Sequence, residues 1–214
     1  MFAVVSIVIW RGASAFVVRL IRAQPLPEGA CHELRNMVEG LCPTFGVRAP
    51  SLMLVDDPVP NACCFGGGPA HTRLAVTTGL MNRLGLIELE GVIGHELAHL
   101  KRHDNVVSAV AVAVVGPLAW LSGRDRWLHR AVGLGREYRA DELAVAAVRY
   151  PPGLHDALVA IGNGPVPRPG SIFLRRSMAM TRWIWVDPAV GRSDEHPLGD
   201  LDLPEVRVAA LAEW

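Results

Sequence analysis

The chain has 214 residues, enough for one domain with a sizeable core, or one domain plus an appendage. Its 21 basic and 21 acidic side chains cancel, which excludes a global field recruiting nucleic acid. Half of the residues are hydrophobic and the mean hydropathy is +0.26, a balance that points towards a membrane. Cys31, Cys42, Cys63 and Cys64 have no C-x-x-C spacing and read as free thiols, so nothing implies an oxidising compartment.

Residues 2–21 are largely apolar but carry Arg11 and Arg19, which makes them a marginal membrane span. Three readings stay open for residues 1–24: a membrane anchor, a helix packed on the domain, or the remnant of a longer N-terminus. Residues 25–214 are expected to form the main domain. Pro25 and Pro27 interrupt the chain, after which Leu34, Met37, Val38 and Leu41 give Cys31 to Cys42 helical spacing. Ser51–Val55, Asn61–Phe65 and Leu74–Thr78 read as strands. The run Gly66-Gly67-Gly68-Pro69 lacks the Lys-Ser/Thr of a phosphate loop and reads as a hairpin connection. An exposed edge among these strands, at Asn61 and Ala62, would pair with an extended peptide.

The stretch from Leu84 to His103 has an apolar stripe in Leu84, Ile87, Leu89, Val92, Ile93, Leu97 and Leu100, with acids early and bases late, as a helix prefers. Within it, His95-Glu96-Leu97-Ala98-His99 fits H-E-x-x-H. Positions i and i+4 share a helix face, so both imidazoles can reach one metal ion. Glu96 lies about 100° further round the axis, where a general base for a metal-bound water belongs. Asn105 to Gly123 then gives nineteen uncharged residues, nearly a bilayer span in length. Ligands on both sides of this segment must share one side of a membrane. A single crossing is therefore excluded, leaving a helix that dips and returns or one buried against residues 2–21.

Catalytic zinc usually has three protein ligands. A third histidine ten residues after His95 is ruled out, because that position is Asn105, and His103 on the same straight helix rotates away from a common centre. Glu137 is the better candidate. It opens a helix through Leu143, Ala144, Ala147 and Val148, with Asp141 one turn on to accept a hydrogen bond from a ligating histidine.

In order, Asn61-Ala62 with following glycines, Leu74 to Leu80, His95 to His99 with Lys101 and Asp104, Glu137 to Asp141, Tyr150-Pro151-Pro152, and His196-Pro197 with Arg207 resemble the M48-type zinc metallopeptidases. That family includes the HtpX heat-shock protease and the CAAX prenyl proteases. The likeness covers about residues 34–212. It implies an α+β, mainly helical gluzincin fold, a zincin-like domain with a small sheet beside the H-E-x-x-H helix. It also implies one zinc per chain on His95, His99 and Glu137, Glu96 as general base, and His196 close enough to hold substrate or the developing oxyanion. Cys63 and Cys64 depart from the aromatic and small residues usual after Asn-Ala. The expected function is a zinc endopeptidase acting on polypeptides and associated with membrane lipid, its catalytic domain cytoplasmic, with no nucleic-acid partner. A narrow-specificity CAAX-type processing protease and a non-catalytic zinc-binding scaffold are the alternatives.

Overall fold

The computed structural model describes residues 12–66, 71–114, 135–164, 184–186 and 203–214. Residues 12–20 are helical (α1), and α2 spans His32–Phe45. It runs past Cys42 and through Pro43 because Phe45 is buried in the core; Gly46, in the left-handed region, stops it by donating to the Cys42 and Pro43 carbonyls. The strands are β1 (Gln24–Pro25), β2 (Ser51–Val55), β3 (Ala62–Gly66) and β4 (Thr72–Thr77). They form one sheet in the order β1-β2-β4-β3. The β2/β4 pair is parallel and the other two are antiparallel, so β3 is an edge strand.

The sheet is covered on both faces, and the two-residue period of a strand decides which side chain goes where. Cys64, Leu74 and Val76 join the larger core with Leu34, Val92, Ile93 and Leu97. Cys63, Phe65, Ala75, Met53 and Val55 face the other way and meet Val17 and Ile21 from the N-terminal segment and Val112. This double cover explains why β3 is buried along its whole length instead of alternating with solvent.

Next come α3 (Thr78–Arg83) and α4 (Leu86–Arg102), separated by Leu84 and Gly85. Thr77 caps α3 by accepting from the Leu80 N–H. The helix expected from Leu84 is a single helix that starts at Leu86, after a short unexpected α3: Leu84 sits in the break and Ile87 is 57% exposed, while Leu89, Val92, Ile93, Leu97 and Leu100 form the buried stripe. The remaining helices are α5 (Asp104–Val114), α6 (Arg136–Val148), α7 (Pro151–Gly162) and α8 (Pro204–Glu213). Helix α4 packs chiefly on α6 and α7, and two glycines permit it. A Cβ on Gly91 would come within 2.6 Å of the Leu154 nitrogen, and one on Gly94 within 2.9 Å of Val148 Cγ2.

The expectation of a membrane-associated chain with a cytoplasmic catalytic domain is corrected here. Among the described residues, no helix is long and apolar enough to cross a membrane. The apolar side chains of Val17, Ile21 and Val112 that raised it cover the second face of the sheet instead.

Candidate metal centre

Helix α4 carries His95 and Glu96 in its buried middle and His99, also buried, in its last turn. Helix α6 brings Glu137 and Asp141 against them, with Glu137 in its first turn, where the helix dipole favours a carboxylate. Three atoms converge. His95 Nε2 lies 3.1 Å from His99 Nε2 and 3.1 Å from Glu137 Oε2, and His99 Nε2 lies 3.3 Å from the same oxygen. Tetrahedral ligation with bonds of about 2.0–2.1 Å places ligand atoms roughly 3.3 Å apart, so the triangle fits one face of a zinc-sized tetrahedron. Among the described residues, this is the one group of three or more His, Cys, Asp or Glu side chains able to hold a metal.

The outer ring nitrogens show why a cation belongs there. His95 Nδ1 donates to Asp141 Oδ1 at 2.7 Å, and His99 Nδ1 donates to Asp104 Oδ2 at 3.3 Å. With Nδ1 protonated in both rings, each neutral imidazole turns a lone pair towards the Glu137 oxygen, and three acceptors face one another without a donor. A proton is the simplest relief. Burial lowers the His95 pKa, but the Asp141 charge and the hydrogen bonds to Asp141 and Glu137 outweigh it and raise the value to about 9.

Around this triangle the charges are paired. Burial pushes the Glu137 carboxyl up, yet Arg136 and the two histidines hold it well below its usual range. Asp141 behaves likewise: burial raises it, and Arg207 followed by His95 brings it below the ordinary value. Arg207, on α8, grips Asp141 through Nε at 2.6 Å and Nη2 at 2.8 Å, and donates through Nη1 to the Val186 carbonyl. Glu96 is different. Burial drives its pKa up, with Glu137 adding to the rise, and the two histidines oppose it. Burial and the neighbouring Glu96 carboxylate push the Cys64 thiol, on β3, well above its ordinary pKa.

His103 and Asn105 stand where the chain leaves α4. His103 is exposed at φ 62°, in the left-handed region, and its N–H closes the helix on the His99 and Leu100 carbonyls. That turn swings Asp104 back onto His99 and onto Arg102, whose Nε lies 3.0 Å away. Asn105 is buried and points its amide at the Gly66 carbonyl at 3.5 Å. His196 lies outside the described residues. Ala62 opens β3 and Asn61 immediately precedes it, and their main-chain groups are engaged within the chain. Thr77 bonds the Asn61 N–H and C=O, the Asn61 side chain accepts from the Ala62 N–H, and the Val186 N–H takes the Ala62 carbonyl.

From the sequence, Asp104 and Arg207 stood only among the motifs of the resemblance and Cys64 only as a departure from it, while Arg136 and Arg102 carried no role in the site. One signal was present for Arg207: an arginine flanked by Val206 and Val208 and followed by the apolar run to Leu211 needs an acid if it is buried.

The profile of peptidase family M48 matches residues 30–181. The chain belongs to peptidase family M48. The "Protease HtpX homolog" of Lactobacillus helveticus is 29% identical over 199 residues, covering 73% of this chain and 67% of the relative. That of Thermodesulfovibrio yellowstonii is 38% identical over 111 residues, 52% of this chain and 39% of the relative. The "Protease HtpX" of Legionella pneumophila is 32% identical over 116 residues, 54% of this chain and 41% of the relative. The chain thus matches from about two fifths to two thirds of the length of these relatives. The α+β, mainly helical fold expected from the motifs is the one observed: the helices surround a small mixed sheet whose β3 lies beside α4.

Proposed function

We propose that this member of the family is a zinc-dependent endopeptidase that hydrolyses peptide bonds. The observation that carries the reading is the buried triangle of His95 Nε2, His99 Nε2 and Glu137 Oε2, with the carboxylate of Glu96 next to it and attached to neither arginine. His95, His99 and Glu137 would hold the metal. Bound there, zinc would lower the pKa of water towards about 7 and polarise a carbonyl oxygen.

The chain's own groups supply the proton handling. Glu96, its proton affinity raised by burial, takes a proton from the attacking water and delivers it to the departing amine. Asp141 holds His95 Nδ1–H, and so keeps Nε2 free of hydrogen and turned inward. An extended polypeptide would align along the outer edge of β3. By strand period Cys64 presents its main-chain groups on the same side as Ala62, whose carbonyl Val186 occupies, which puts the open pairing position at Cys64, next to Glu96. Asn61 and Ala62 then mark one end of that edge, and His196 is assigned to steadying the substrate carbonyl. A non-catalytic zinc scaffold has no use for a buried carboxylate at position 96.

The test is metal content alongside cleavage of an unfolded protein such as casein. Glu96→Gln is expected to keep one zinc per chain and to lose activity by at least the roughly 10²–10⁴-fold attributed to general-base catalysis. His99→Ala and Glu137→Ala lose both. Proteolysis surviving in metal-replete Glu96→Gln protein removes the role given to Glu96.

A further inference from the structure

Glu137 offers two oxygens, and the structure treats them differently. Oε2 faces both histidines. Oε1 is held by the guanidinium of the preceding residue: Arg136 Nε lies 3.0 Å away and Nη2 2.6 Å away. Consecutive residues on a helix do not normally face each other, so this grip is not a by-product of helical spacing. Arg136 is also buried, at 8% exposure, a costly place for a cation unless its charge is used. Gly135, at φ 67° in the left-handed region, precedes it and sets the direction from which the chain enters α6.

Resting on the assignment of Glu137 as a ligand, we propose that Arg136 is a positioning residue that makes Glu137 a one-oxygen ligand. A carboxylate is free to bind a cation through one oxygen or two. With Oε1 bound by two N–H donors, swinging it onto the metal requires breaking a charge-assisted pair in a buried site. Only Oε2 is left to face the ion. The protein then supplies three donor atoms, and a further position stays open for water or for a substrate carbonyl, the arrangement of a catalytic zinc site. A two-oxygen Glu137 would occupy that position and suit larger, oxygen-seeking cations. Arg136 thereby acts on the openness of the site and on its choice of metal, without touching the substrate.

The wild-type protein, loaded with zinc, tests this by X-ray absorption at the zinc edge. A single short carboxylate oxygen shell is expected. A two-oxygen carboxylate signature overturns the proposal while leaving Glu137 a ligand; failure of wild type to bind zinc overturns the ligand assignment itself. Variants give the second arm, read by visible absorption of the Co(II)-loaded protein, whose intensity falls as coordination number rises. Arg136→Met is expected to weaken zinc binding about 10–100-fold, to lower the Co(II) band intensity and to narrow the preference for Zn²⁺ over Mn²⁺. Arg136→Lys retains a single-point donor and is expected to recover most of the wild-type spectrum. If Arg136→Met does not fold, Arg136→Lys and the wild-type zinc edge still decide. A wild-type Co(II) spectrum from folded, metal-bound Arg136→Met overturns the proposal, because a merely structural arginine leaves the coordination number unchanged.

Discussion

His95 and His99 present the same atom to the same point, yet the chain supports them unequally. Behind His95 stands Asp141, 2.7 Å away, its side chain 1% exposed and held at both oxygens by a buried arginine. Behind His99 stands Asp104, 3.3 Å away and 17% exposed, held by Arg102, which is itself 28% exposed. The two arrangements have the same parts: imidazole, carboxylate, guanidinium. They differ in how much water competes with each contact. A buried pair that loses one partner leaves an uncompensated charge, whereas a partly exposed pair is screened and re-solvated. One side of the site is thus fixed by the fold, and the other is adjustable at the surface.

Removing Arg207 should break the contrast most severely. Arg207→Ala strands the Asp141 carboxylate in the interior, and a loss of about 3–5 kcal/mol in chemical denaturation is expected. A loss under about 1 kcal/mol, the range of surface pairs, would mean that the buried side is no firmer than the exposed one.

Asp141→Asn probes the same side more gently and should weaken zinc binding about 10–100-fold, measured by competition with a chromogenic chelator. In metal-free protein the same variant reports on pH. The folded-state pKa of Asp141 is lowered, so its stabilisation is present above the ordinary carboxylate range and is lost as pH falls through the folded value. His95 is raised to about 9, so the part carried by its charged ring is complete below about 6.5 and is lost as pH rises through about 9. The stability advantage of wild type over Asp141→Asn should therefore be widest between these limits. A flat difference from pH 4 to 10 would show that the pair is not coupled.

Asp104→Asn is the smallest expected effect, a drop in zinc affinity of under about tenfold that shrinks further in high salt, because this carboxylate is partly exposed. Equal losses from Asp104→Asn and Asp141→Asn would erase the distinction between the two histidines.

The site was legible where its logic is local. H-E-x-x-H carries its own geometry, since four residues of helix fix the relative direction of two side chains. Glu137 and Asp141, again one turn apart, obey the same rule, and the structure brings them onto His95 and His99. Where the sequence left more than one reading open, long-range packing decides. The apolar N-terminal segment and α5 have the composition of membrane segments, and composition alone does not distinguish a lipid face from a sheet face. Here the described parts of both lie on the second face of the sheet. Likewise the edge at Asn61 and Ala62 looked available, and only the fold shows Val186 bonded to it, more than a hundred residues along the chain.

What the sequence determined by itself was the pairing of His95 with His99 and of Glu137 with Asp141 by helical turns, because this depends on backbone geometry that every helix shares. The tertiary structure decided which carboxylate oxygen faces the histidines, which arginine neutralises which acid, and how deeply each support lies. Those outcomes depend on burial and on charges meeting across elements far apart in the chain. The free energies involved come from excluding water, which no residue does alone.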